Sequence, residues 1–227
     1  MRKNFGSKPM MYPQPVLVIG SYDEEGTPNA MTAAWGSMSD MNQAAVYISA
    51  GHKSMKNILK TEAFTISMAN VEHMVEADYV GMVSGNNVPE KVAKAGLHVT
   101  KSEFVNAPLF EEFPMSLECK LVSYDPESEL ALGEIINVSA DESILGENGH
   151  IDLTKLQPIT YDPVHHAYRG LGEIAGEREA HHVAHLARNH VRRDGNHPFC
   201  ADGDHRYGET VIAGENGEIC GHSGSDA

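Results

Sequence analysis

The stretch on which the fold assignment depends reads GTPNAMTAAWG and occupies residues 26–36. Small residues recur along it, namely Ala30, Ala33, Ala34 and Gly36. Such residues let a backbone approach a flat ring, and Asn29 and Thr32 offer hydrogen-bonding groups for a ring's polar edge. An Ala-rich, half-buried strand that packs against a neighbour explains the same pattern, and the residues alone favour that explanation.

Short apolar runs around this stretch predict a mainly β fold with some α structure. Residues 16–20 (VLVIG) and 44–49 (AAVYIS) are bounded by turn-forming residues, which is typical of buried strands. Further strands are expected at residues 64–68, 116–124 and 130–139. Many short strands with few helices indicate a closed or partly closed barrel.

Two short helices and one tight turn are expected between these strands. Residues 54–61 form the first helix, with Ser54 as its candidate N-cap. Residues 89–95 form the second helix, which Gly96 ends. The turn is expected at residues 23–28 (DEEGTP), where Gly and Pro interrupt the apolar pattern.

Residues 49–58 (SAGHKSMKNI) form a second informative segment. A Gly-containing loop leads from a predicted strand into a predicted helix, whose first turn presents free backbone N–H groups. Lys53 adds a positive charge and Ser54 a hydroxyl group. The segment suits a phosphate monoester, although an ordinary capped helix start has the same residues and is the simpler explanation for this segment taken alone.

The composition excludes several classes of protein. A chain of 227 residues is long enough for one domain with an appendage, and its formal net charge of -15 argues against a nucleic-acid partner. No apolar run approaches the roughly 18 residues that span a bilayer, and no signal-peptide core follows the basic start. The three cysteines, Cys119, Cys200 and Cys220, are widely separated. We therefore expect reduced thiols and a soluble, cytoplasmic protein without membrane association.

A break in composition divides the chain near residue 176. Residues 1–176 hold ten Lys and two Arg, whereas residues 177–227 hold five Arg, no Lys and seven of the 13 His. The second segment is poor in large aliphatic residues and cannot bury much of a core. Its histidine and cysteine spacing fits no zinc template, so no metal site is predicted. We expect an atypical His/Arg/Gly-rich tail, although a shifted reading frame would give a similar change in composition.

The two motifs together resemble the flavin reductase-like family, the FMN-binding split β-barrel proteins, and particularly its flavoredoxin branch. Further matches occur at residues 78–86 (DYVGMVSGN), 117–120 (LECK) and 162–165 (DPVH). The resemblance covers residues 1 to about 174. It implies an FMN-binding split β-barrel within residues 1–176, followed by a tail that departs from the family pattern.

The resemblance also implies which residues contact FMN. The small-residue stretch becomes a wall for the flavin ring, and the second motif supplies phosphate and ribityl contacts. The implied cofactor-binding residues are Asn29, Met31, Thr32, Ala33, Trp35, Ser49, Ala50, Gly51, His52, Lys53, Ser54, Asn57, Ser84, Lys91, His165 and Tyr168.

Four of these residues have equally plain structural explanations. The resemblance puts Trp35 near the flavin, but a single tryptophan is also a common core anchor. Lys91 matches a lysine beside the flavin's pyrimidine side, or is a solvated helix lysine. His165 and Tyr168 belong to a segment that in this family approaches the flavin across a dimer interface, or they simply pack in that interface.

The implied function is redox chemistry through FMN. The motifs leave open whether NAD(P)H is the electron donor. Many flavin reductases carry Gly-Asp-His, four residues and Gly-Glu, with a histidine associated with nicotinamide binding. Alignment on Gly133 and Glu134 places residues 126–128 (PES) at that triplet, so the histidine is absent. An NAD(P)H-using flavin reductase therefore competes with an electron carrier that has no nicotinamide site. A pyridoxamine-phosphate-oxidase-like activity is a third alternative, whose substrate-binding pattern is not apparent.

No catalytic acid or base is predicted, because electron transfer to a flavin depends chiefly on stacking and placement. The expected partners are the flavin, a second copy of the chain and an electron-transfer protein. The sequence does not identify the final electron acceptor.

Overall fold

The computed structural model of the chain describes residues 1–172, and its main element is a curled, seven-stranded antiparallel sheet. The strand order in this sheet is β3-β2-β6-β9-β10-β5-β4, and β1-β11-β12 and β7-β8 form two smaller sheets. The strands are β1 (Gln14–Pro15), β2 (Leu17–Tyr22), β3 (Pro28–Ala33), β4 (Gly36–Asp40), β5 (Gln43–Tyr47), β6 (Ala63–Met68), β7 (Val99–Lys101), β8 (Pro108–Phe110), β9 (Met115–Asp125), β10 (Leu130–Ala140), β11 (Ile159–Asp162) and β12 (Ala167–Gly170). The prediction of a mainly β fold with some α structure is confirmed.

The predicted turn joins β2 to β3 as a hairpin. Leu17 pairs with Ala33 at one end of the hairpin and Tyr22 pairs with Pro28 at the other. The Asp23 carboxylate accepts hydrogen bonds from the backbone N–H groups of two turn residues, at 3.2 and 2.8 Å. Gly26 has φ +82°, a conformation that glycine adopts without steric cost. The hairpin brings the small-residue stretch next to β2, whose first five residues are all buried.

Two apolar clusters lie on opposite faces of β2. One contains Ile19 and Phe64 with residues of α1 and β5, and it fills the curled sheet. The other contains Val18 and packs the sheet against α2 and α3. Because successive side chains of a strand point to opposite faces, the continuous apolar run of β2 supplies both clusters. This second cluster places the end of α2 beside β3.

The helices are α1 (Lys53–Thr61), α2 (Met74–Met82), α3 (Lys91–Lys94) and α4 (Leu153–Leu156). The expectation that Ser54 is the N-cap of the first helix is wrong. The cap position belongs to His52, whose side chain makes no capping bond, and Ser54 lies within the first turn. Its hydroxyl instead accepts a hydrogen bond from Asn29 on β3.

The second predicted helix is shorter than expected, and α2 was not predicted at all. In α2 the apolar residues do not gather on one face, so the sequence lacks the usual amphipathic signal. Gly96 follows α3 with φ +78°, as expected for a residue that ends a helix. Within residues 1–172, no helix is long and apolar enough to cross a membrane. The predicted tail, residues 177–227, lies outside the described residues.

Candidate functional site

A cavity of about 220 Å³ lies between the start of α1 and the end of α2, and we call it the α1–α2 cavity. It is lined by Asn29, Met31, His52, Lys53, Ser54, Val80, Gly81, Met82, Val83, Ser84, Gly85 and Lys91. The sequence singled out the residues from β3 and α1, together with Ser84 and Lys91. Two larger depressions, of about 540 and 360 Å³, lie elsewhere and are lined by none of the predicted site residues.

Asn29 lines the α1–α2 cavity, and only one end of its side-chain amide is hydrogen-bonded among the described residues. The residue is 4% exposed, and its Nδ2 donates a 2.7 Å hydrogen bond to Ser54 Oγ. Its Oδ1 is buried and has no hydrogen-bond partner among the described residues. A buried acceptor without a partner costs about 1–3 kcal/mol, so a ligand that donates a hydrogen bond here gains by satisfying it.

Gly85 closes the cavity against Asn29. A Cβ added at Gly85 would lie 2.2 Å from Asn29 Oδ1 and 3.3 Å from Lys53 Cβ, so a larger residue forces one of these groups to move. The loop between α2 and α3 reaches the polar wall only because this position has no side chain.

The positive charge of Lys53 is held at the cavity by an acidic neighbour. Lys53 Nζ lies 3.3 Å from Asp23 Oδ2. Although partial burial opposes the effect, the hydrogen bond from Thr27 and the Lys53 ammonium keep the pKa of Asp23 below its usual value. No side chain among the described residues caps the start of α1, which leaves its first-turn N–H groups for another partner. The Lys53 ammonium and the free N–H groups of α1 together favour the binding of an anion.

Lys91 lines the α1–α2 cavity beside the end of α2. It is 3% exposed, and its Nζ donates to the carbonyl oxygens of Val80 at 2.9 Å and Val83 at 2.8 Å. These carbonyls end α2, where a cation interacts favourably with the helix dipole. Burial lowers the pKa of Lys91 to about 8. An ammonium has three donors, so one remains for a group in the cavity.

Three further predicted residues, Thr32, Ala33 and Asn57, do not line the α1–α2 cavity. The Thr32 hydroxyl donates to the carbonyl of Ala77, which ties β3 to α2. Ala33 is buried in the cluster inside the curled sheet. Asn57 lies on the buried face of α1 and is 2% exposed. Its Nδ2 donates a 3.3 Å hydrogen bond to Ser21 Oγ.

The loop residues Ser49, Ala50 and Gly51 precede α1 without lining the cavity. Trp35 also lies outside it, 56% exposed between β3 and β4. Its carbonyl accepts a 3.0 Å hydrogen bond from Tyr47 N, which holds β5 beside it.

His165 and Tyr168 lie around the β11–β12 hairpin. His165 Nδ1 is 2.8 Å from Asp162 Oδ2, and its side chain is largely exposed. Tyr168 donates a 2.7 Å hydrogen bond to Asp78 Oδ1 on α2. Partial burial and this bond raise the pKa of Tyr168 above its usual value. Tyr168 therefore contacts the helix whose end lines the cavity.

The family assignment follows from comparison with known proteins. A model of the flavin reductase like domain matches residues 10–169. The chain belongs to this family. Its structure is similar to that of the flavoredoxin of Desulfovibrio vulgaris (Miyazaki F), with a TM-score of 0.76 and 34% identity, covering 79% of this chain and 98% of that one.

Two other solved structures extend the comparison across the family. The flavoredoxin from Methanosarcina acetivorans gives a TM-score of 0.72 at 25% identity, over 79% of this chain and 97% of that one. The FMN-binding domain of a flavin reductases-like enzyme from Shewanella baltica gives 0.65 at 20% identity, over 73% and 90%. The split β-barrel fold predicted from the sequence is therefore confirmed, and membership of the flavin reductase-like family supports an FMN-related redox function.

Several residues that line the α1–α2 cavity are not among the residues predicted from the sequence. Val80 to Val83 and Gly85 line it, yet only Ser84 from that stretch was selected. The signal was present, because the match at residues 78–86 to the flavin reductase-like family included both glycines. Their importance depends on how closely α2 and the following loop approach β3, which is a tertiary property.

Proposed function

We propose that this protein is an oxidoreductase that binds FMN in the α1–α2 cavity and passes electrons through it to an acceptor. The observation that carries the proposal is the unpaired Oδ1 of Asn29, buried beside Lys53 and the uncapped start of α1. A carbonyl acceptor, a cation and free N–H groups match a ligand that has both hydrogen-bond donors and a phosphate.

The residues present fit FMN in a specific way. Lys53 and the first turn of α1 would hold the phosphate, because both supply positive electrostatic potential. Asn29 Oδ1 would accept from a ribityl hydroxyl or a ring N–H group, and the remaining donor of Lys91 would face an acceptor on the ring. Bound FMN supplies the electron-accepting chemistry, while these residues bind it, orient it and tune its charge.

The decisive measurement is an FMN titration followed by fluorescence quenching, with riboflavin in parallel. FMN should bind more tightly than riboflavin, since only FMN offers the phosphate. Equal affinities would refute the phosphate assignment, and no binding of either flavin would refute the proposed function.

We further infer that the functional form is a homodimer. Small-molecule pockets usually have volumes of about 300–1,000 Å³. The α1–α2 cavity, at about 220 Å³, encloses only part of a flavin, and a second subunit would supply the missing wall. Exposed large residues, including Trp35 and Tyr47, offer apolar surface for such a contact. Sedimentation showing a stable monomer with full FMN affinity would contradict this.

The alternative function is a flavoredoxin-like electron carrier without its own NAD(P)H site. It is favoured by residues 126–128, which replace the triplet that carries histidine in many flavin reductases. These residues form a tight turn between β9 and β10, where Asp125 accepts hydrogen bonds from the backbone N–H groups of Glu127 and Ser128. Rapid oxidation of NADH or NADPH with added FMN would support the reductase, whereas tight FMN binding without turnover would support the carrier.

A further inference from the structure

We propose that Asn86 is a positioning residue that fixes the width of the α1–α2 cavity. Its side chain joins the loop after α2 to the loop and helix on the opposite side of the cavity. Asn86 does not line the cavity itself, so it acts through the residues it holds. The identity of the ligand rests on the proposed function. The hydrogen bonds of the Asn86 side chain, which we call the clip, exist in the protein without any ligand.

The clip consists of two hydrogen bonds that use both ends of the Asn86 amide. Nδ2 donates to the carbonyl oxygen of Gly51 at 3.1 Å, and Oδ1 accepts from Lys56 Nζ at 3.2 Å. The backbone N–H of Asn86 donates to Ser84 Oγ at 3.3 Å, which shapes the loop on its own side. The Asn86 side chain thus connects segments 35 residues apart in the sequence.

The position of the clip explains why it would affect binding. On one side, Asn86 follows Gly85, where an added Cβ would lie 2.2 Å from Asn29 Oδ1. On the other side, Gly51 precedes His52 and Lys53, which line the cavity. If the clip opens, the two walls are held together less firmly, so the contacts from both walls to one ligand form together less often.

This role differs from direct contact with a phosphate. A positioning residue supports every contact in the cavity, so its loss weakens FMN and riboflavin equally. A phosphate contact weakens FMN alone. Hydrogen bonds at an exposed side chain are individually modest, and we expect loss of the clip to weaken both flavins about fivefold.

The matched control is the neighbouring residue Asn87. It is also exposed, and its side chain makes no hydrogen bond within residues 1–172, while its backbone N–H donates to Ser84 O. Asn87→Ala therefore removes an amide from the same loop and leaves the clip intact.

The first measurement needs no ligand. Amide hydrogen exchange in the full-length protein should become faster in Asn86→Ala at the N–H groups of His52, Lys56 and Val88, each hydrogen-bonded near the clip. Asn87→Ala should leave these rates as in the wild type. Unchanged exchange in Asn86→Ala, or the same increase in both variants, would overturn the proposal.

The second measurement compares FMN and riboflavin affinity in the same two variants. Equal weakening of both flavins in Asn86→Ala, with no change in Asn87→Ala, supports positioning. A loss confined to FMN, or no loss, would overturn it. A wild-type protein that binds neither flavin would refute the proposed function instead, and the exchange measurement would still decide whether the clip exists.

Discussion

Asn29 and Ser54 are joined by a 2.7 Å hydrogen bond that connects β3 to the first turn of α1. This bond uses the Asn29 amide nitrogen and leaves the buried oxygen of the same side chain without a partner in the described part of the chain. The fold thus leaves a buried acceptor of a cavity-lining residue unsatisfied.

Gly85→Ala should weaken FMN binding at least tenfold, about 1.4 kcal/mol. The added methyl group would lie 2.2 Å from Asn29 Oδ1, so either the loop or the asparagine must move. Gly172→Ala is the matched control, because a Cβ there meets no atom of residues 1–172 within 4 Å. Fluorescence titration of both variants checks this, and an unchanged dissociation constant for Gly85→Ala would contradict it.

Lys53→Ala should weaken FMN binding by about 1–3 kcal/mol, the usual range for a hydrogen bond to a charged group. Riboflavin binding should weaken much less. Lys60→Ala provides the comparison, since Lys60 pairs with Glu24 on the exposed surface near the end of α1. Parallel titrations with the two flavins separate charge at the phosphate from general loss of positive charge. Equal losses in the two variants would argue against a phosphate at Lys53.

Lys91→Met should destabilise the protein by about 1–3 kcal/mol at pH 7, because two buried carbonyl oxygens at the end of α2 lose their donor. Equilibrium denaturation with urea gives this difference. Little change would mean that the end of α2 does not depend on Lys91.

The same variant tests the lowered pKa of Lys91. Burial places this pKa at about 8 in the folded protein, below the ordinary lysine value of 10.5. The unfolded chain therefore binds more protons between these values, so the stability contribution of Lys91 rises as pH increases from about 8. The stability of the wild type relative to Lys91→Met should increase over this window. A flat difference would contradict the lowered pKa.

Asp162→Asn should destabilise the β1-β11-β12 sheet at neutral pH. The Asp162 carboxylate accepts hydrogen bonds from Tyr12, His165 and Arg169. Although burial opposes the effect, these donors keep the pKa of Asp162 well below its usual value. Its stabilising contribution is therefore present above the unfolded pKa of about 4 and is lost as pH falls below it.

At pH 7 we expect Asp162→Asn to have a lower free energy of unfolding than the wild type. Urea denaturation at several pH values measures it. The difference from the wild type should shrink in acid, and a difference that stays constant down to pH 2 would contradict the assignment.

Local sequence was sufficient to predict five strands of the large sheet, β2, β5, β6, β9 and β10, and the turn that follows β2. The apolar runs at residues 16–20 and 64–68 lie in β2 and β6, and the glycine of the predicted turn has the positive φ that the turn requires. These features depend on side-chain pattern and local backbone geometry, so the residues themselves indicate them. Helix α2 lacked such a pattern, because packing on β3 rather than an amphipathic face stabilises it.

The resemblance of two motifs in the sequence was enough to identify the family and to single out Lys53, Ser54 and Asn29, which line the same cavity. Only the tertiary structure showed that Ser54 binds Asn29 instead of capping α1, and that Lys91 reaches the last carbonyls of α2. These contacts join residues distant in the sequence, and their geometry depends on how strands and helices pack. The sequence by itself thus determined much of the large sheet and the chemical types at the site, whereas packing decided which polar atoms are paired and left Asn29 Oδ1 without a partner among the described residues.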